Sequence, residues 1–69
     1  MSSKVVKKFA ENMKRIREEK GMSQGDIFRA TKIDRAYICN LEKGKQNLTL
    51  ETIEKIAKAL GVEIGDLTN

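Results

Sequence analysis

The chain has 69 residues, with 14 Lys and Arg against 10 Asp and Glu and a formal net charge of +4. That is room for one small domain, expected over residues 1–69. With no His and a single Cys, it cannot form the usual zinc sites, a Ser-His-Asp triad or an internal disulfide.

No stretch is apolar enough to span a membrane, and residues 1–8 lack the apolar segment of a signal peptide. A reduced, cytoplasmic binding domain is therefore expected rather than an enzyme. The absence of Pro and apolar gaps of three and four predict an all-α chain. Val6, Phe9, Ala10, Met13 and Ile16 share one stripe of a first helix over 4–20. Ser3 caps its start, and Gly21 ends it in a left-handed conformation. Its other face carries Lys7, Lys8, Lys14, Arg15 and Glu18. Ser23, with Asp26 three residues on, opens a second helix over 23–31. Ile27, Phe28 and Ala30 are expected on its buried side.

Asp34 caps a third helix over 34–43, with Ile38 and Leu41 turned inward and Gly44 as its stop. Only residues 32–34 connect helices two and three. So short a link forces a large crossing angle, the helix-turn-helix arrangement. After a polar loop over 44–48, Thr49 opens a fourth helix over 49–60. Leu50, Ile53, Ile56, Ala57 and Leu60 lie on one face of it, and Gly61 closes it. Val62, Ile64 and Leu67 accompany a short fifth helix over 63–67.

Charge divides along the chain. Residues 1–35 hold ten basic and five acidic groups, whereas residues 49–69 hold two basic and four acidic. The front of the molecule suits a polyanion and the tail does not. On the third helix, Arg35, Ala36, Cys39, Asn40 and Lys43 lie opposite the core residues. Arg and Asn are the side chains fitted to base edges, Arg bidentate to guanine and Asn bidentate to adenine, and Ala touches a thymine methyl. Lys43, Lys45, Gln46 and Asn47 follow where phosphates would run. An ordinary solvated helix has a similar composition, so this face alone is weak evidence.

The wider pattern is more specific. It comprises Met13-Lys14-Arg15-Ile16-Arg17-Glu18-Glu19-Lys20-Gly21-Met22-Ser23-Gln24, Asp34-Arg35-Ala36-Tyr37-Ile38, Leu41-Glu42-Lys43-Gly44, Asn47-Leu48-Thr49-Leu50 and Ala57-Lys58-Ala59-Leu60-Gly61-Val62. In order and spacing, from about Phe9 to Leu67, the chain resembles the Cro and phage-repressor-like helix-turn-helix proteins of the Xre family. The Asp-Arg-Ala-Tyr-Ile and Asn-Leu-Thr segments also look like controller proteins of restriction-modification systems.

The resemblance implies a compact five-helix, lambda-repressor-like fold that binds double-stranded DNA. It also implies roles for individual residues. Gln24 matches a position that bonds a phosphate and supports the recognition helix. Arg35, Ala36 and Asn40 match base-facing positions, and Tyr37 a position touching base or backbone, although its ring also fits packing on helix two. Lys43, Lys45, Gln46 and Asn47 match backbone-contacting positions. Arg17 and Glu42 match a partly buried pair joining helix one to the end of helix three.

Two departures stand out. The family usually has Ala at Phe28, where helices two and three cross closely, and Gly at Lys32, where the turn needs a positive φ. Thr31 is also polar where an aliphatic residue is common, and Phe28 is expected to fill the space Thr31 leaves. A homodimer on a near-palindromic operator is expected, with Val62, Ile64 and Leu67 as its interface. The same three residues also fit closure of the monomer core. An antitoxin-type module that binds a partner protein as well as DNA is the alternative function. No cofactor, metal or small-molecule effector is expected.

Overall fold

The structure, a computed structural model, describes residues 3–69; Met1 and Ser2, the start of the expected domain and N-terminal segment, lie outside the described residues. Five helices follow in order: α1 (Lys4–Glu19), α2 (Gln24–Thr31), α3 (Arg35–Glu42), α4 (Leu50–Leu60) and α5 (Ile64–Thr68). The expected boundaries differ from these mainly by the capping residues. Ser3 accepts from Val6 N, Ser23 from Asp26 N, and Thr49 from Thr52 N. Each hydroxyl satisfies an amide that has no partner inside its own helix.

The core is built from one stripe of each helix. Phe9, Met13 and Ile16 of α1 meet Ile27 of α2, Ile38 and Leu41 of α3, Ile53, Ile56, Ala57 and Leu60 of α4, and Leu67 of α5. Packing of α1 against α3, α4 and α5, and of α2 against α3 and α4, leaves one side of the α2–α3 unit uncovered. That exposure is what makes this side available to a partner.

Three expectations on packing are corrected. Phe28 is 38% exposed and Ala30 is also exposed, so of the three expected residues α2 buries only Ile27, together with Gly25. A helix of 8 residues has room for only a narrow inward stripe, and the i, i+1 neighbour of Ile27 turns away from it. Phe28 therefore does not fill the space beside Thr31. Thr31 fills its own role: its hydroxyl donates to Ile27 O at 2.7 Å and accepts from Ile33 N at 3.1 Å, stitching the turn. Leu50 is the third case, at 85% exposure. It is the first residue of α4, one turn before the helix reaches the core at Ile53.

Lys32 has φ 63 and ψ 17, the left-handed conformation. It is the sole positive-φ residue other than glycine among the described residues. The turn imposes this conformation even though a side chain there costs about 1–2 kcal/mol. At the other end of the molecule Asn12 is buried within the apolar stripe of α1. Its side-chain amide donates to Leu67 O at 2.9 Å and to Asn69 O at 3.0 Å. A buried amide is tolerable because these carbonyls take its protons, and the result is that the end of α5 is tied to α1.

Candidate nucleic-acid interface

The position of α3 is set by its last residue. Glu42 is 4% exposed at the side chain and Arg17 12%. Arg17 Nε donates to Glu42 Oε2 at 2.6 Å and Nη2 to Oε1 at 3.0 Å, a parallel two-bond fork. The remaining guanidinium nitrogen, Nη1, donates to Met22 O at 2.7 Å, just before the cap of α2. Gln24 Nε2 adds a bond to Glu42 Oε1 at 3.1 Å. Side chains from α1 and α2 thus meet at one α3 carboxylate, and Arg17 also ties in the α1–α2 turn. A carboxylate at a helix C-terminus opposes the helix dipole, and the guanidinium offsets that here. Hydrogen bonding to Glu42 raises the Arg17 pKa above the ordinary arginine range, against the opposing effect of burial.

The outward arc of α3 is open. Arg35 and Ala36 are exposed, and Cys39 and Asn40 are half-buried one turn further on. Lys43 is exposed at the C-cap. Tyr37 sits between the two faces: its ring packs against the core, and its hydroxyl donates to Asn47 O at 3.4 Å. That contact links α3 to the loop after it. In the loop Lys45 and Asn47 are exposed and Gln46 is half-buried. Lys45 N donates to Asn40 O at 2.9 Å, which folds the loop back on the end of α3. The structure therefore brings Arg35, Ala36, Asn40 and Lys43 onto one arc, with Lys45, Gln46 and Asn47 beyond it. Gln24 is half-buried and spends one amide proton on Glu42, so it does support α3. Its second proton is left over for an external acceptor.

Arg29 is absent from the set the sequence singled out, yet it lies beside this arc. A methyl group added at Gly25 would meet Arg29 Nη1 at 3.6 Å and Arg35 Cζ at 3.8 Å. Two guanidiniums, one from each helix of the pair, thus face the same spot. The sequence sets Gly25 and Arg29 four residues apart on one helical face, but nothing local in it signals that Arg35 comes to the same spot.

The proposed dimer residues do not stay together. Leu67 is 0% exposed and belongs to the monomer core, so its assignment to a subunit interface is corrected. Helices α1 and α4 both pack on α5 and close over Leu67. Ile64 is 45% exposed, and Val62 is half-buried against the core. No described helix is long and apolar enough to cross a membrane.

Two short helices joined through a left-handed turn, with the second clamped at its end and open on its outer face, define a helix-turn-helix unit. The chain belongs to the helix-turn-helix family, whose model matches residues 13–67. It is 38% identical over 68 residues to the control protein C.BamHI of Bacillus amyloliquefaciens, a match covering 97% of this chain and 84% of that protein. It is 35% identical over 60 residues to the transcriptional regulator DdrOP3 of Deinococcus deserti. That match covers 87% of this chain, which spans about half (46%) of the regulator's length. Among solved structures it is similar to the restriction-modification controller protein C.Esp1396I, crystallised as a tetramer with its natural 35 base-pair operator. The TM-score is 0.83 at 39% identity, covering 88% of this chain and 80% of that one.

Proposed function

We propose that the protein is a sequence-specific, double-stranded DNA-binding transcriptional regulator of the control-protein type. It acts by binding rather than by catalysis, on DNA in the cytoplasm. The observation that carries this reading is the open arc of α3, with Arg35, Ala36 and Asn40 displayed on a helix locked from behind by Arg17 and Glu42. The similarity to C.BamHI and to the operator-bound C.Esp1396I supports it. In this reading α3 enters the major groove and α2 crosses the backbone. Arg35 and Asn40 read base edges, and Ala36 lies against a thymine methyl. Gln24, Tyr37, Lys43, Lys45, Gln46 and Asn47 contact the backbone and fix the register.

One such helix makes few base contacts, so the protein binds as a homodimer to a near-palindromic operator, with half-sites about 34 Å apart. Ile64 and Val62 contribute to the dimer surface. The acidic balance of residues 49–69 suits a face turned away from DNA. Selection of bound duplexes from a random pool tests all of this together. A palindromic motif of two half-sites one helical turn apart is the expected result. Recovery of no motif, with equal retention of all duplexes, overturns it.

A further inference from the structure

Arg29 is given no role by the fold, yet its surroundings are specific. It lies on the outer side of α2, 68% exposed, and its Nη2 donates to Asp26 Oδ1. The other oxygen of that carboxylate, Oδ2, accepts from Ser23 N at 2.8 Å in the capping box. Asp26 is thus fixed by the backbone and in turn holds the Arg29 guanidinium in place. That leaves Arg29 Nη1 turned to the bare backbone at Gly25, where the Arg35 guanidinium arrives from α3. Arg35 has no hydrogen-bond or ion-pair partner among the described residues.

Two like charges that face one spot repel, and the arrangement is relieved by an anion that both can face. A guanidinium has five donors, and the bond to Asp26 occupies one. Its planar fork matches the oxygens of a phosphate. Arg35 stands on the helix that enters the groove and Arg29 on the helix that crosses the backbone, so the two would meet different parts of one nucleotide step.

We propose that Arg29 grips the DNA backbone phosphate beside the base pair that Arg35 reads. This rests on the DNA-binding reading above. Arg29 therefore sets the register of Arg35 without reading sequence itself, and Asp26 positions it.

The test uses the intact chain and the duplex selected by the wild-type protein. Binding is measured across a salt series for wild type, Arg29→Ala and Arg29→Lys. The same measurement is made on a set of duplexes that each carry one neutral methylphosphonate per half-site. Arg29→Ala is expected to weaken binding roughly tenfold on selected and random duplexes alike. The slope of log K against log salt should become shallower by about 1 per subunit, with Arg29→Lys recovering most of the loss. One methylphosphonate position should erase the difference between wild type and Arg29→Ala. If Arg29→Ala keeps the wild-type affinity and slope, or if no neutral position erases the difference, the proposal is overturned and the DNA-binding reading stands. If wild type binds no duplex, both fall.

Discussion

The two ends of α3 are held by different means. At the C-terminal end, Glu42 receives Arg17 from α1 and Gln24 from α2 and is nearly sealed from water. At the N-terminal end, Asp34 makes no side-chain cap bond, and the turn before it passes through a lysine in the left-handed region. One hydroxyl, that of Thr31, does most of the local bonding there. The angle of the recognition helix is therefore dictated from its far end. The end that carries Arg35 is fastened more lightly.

The largest effect is expected at Glu42. Glu42→Ala leaves the Arg17 guanidinium poorly solvated and without its counter-charge, and should lower stability by about 3–5 kcal/mol in urea unfolding. Replacing both partners with apolar residues, Arg17→Met with Glu42→Leu, should cost far less than the single change. A loss below about 1 kcal/mol for Glu42→Ala, the value of an exposed pair, would place the anchoring of α3 elsewhere.

At the opposite end the effects are smaller. Thr31→Val removes the bonds to Ile27 O and from Ile33 N while keeping the volume. It should cost about 1–2 kcal/mol, the penalty of an unsatisfied amide. Lys32→Gly should stabilise by about 0.5–1 kcal/mol, because relief of the left-handed strain exceeds the extra entropy of the unfolded chain. Thermal unfolding at fixed pH reads both. A destabilised Lys32→Gly variant would show that the lysine side chain contributes more than its backbone strain costs.

The smallest effect is one of pH, at the start of α2. The Ser23 amide and hydroxyl, followed by Arg29, hold the Asp26 pKa below the ordinary 3.8. A folded value below the unfolded one means that the capping-box contribution is complete above about pH 4 and is lost as pH falls through the folded value. Asp26→Asn should flatten that acid limb of the stability curve. An unchanged acid limb in the variant would assign acid sensitivity to other carboxylates.

Most of the fold was legible because caps and apolar stripes are local signals. Ser3, Ser23 and Thr49 mark helix starts, and Gly21, Gly44 and Gly61 take the positive φ that ends them. The Arg17 and Glu42 pairing, 25 residues apart, was legible only through family resemblance. What stayed hidden depends on which residue of a partly apolar face finally turns inward. Periodicity does not separate Phe28 from Ile27 on a helix of two turns, nor Leu50 at a helix start from Ile53 one turn later. Leu67 is placed inside chiefly by α1, which is distant in sequence and packs along α5. Asn12 fell between apolar neighbours, and its partners lie 55 and 57 residues away. At the candidate site, Arg35 and Asn40 were readable as a helical arc. Arg29 was not, because its proximity to Arg35 arises only when α2 and α3 cross over Gly25.

The central claim is that the outward arc of α3 reads sequence while the elements around it supply position. Duplex selection carried out in parallel with wild type, Arg35→Ala and Lys45→Ala tests it most directly. Arg35→Ala should lose preference at one base pair in each half-site, by about 1–3 kcal/mol, with the rest of the motif intact. Lys45→Ala should recover the wild-type motif at uniformly weaker affinity. An Arg35→Ala protein that selects the wild-type motif with undiminished preference would contradict the account.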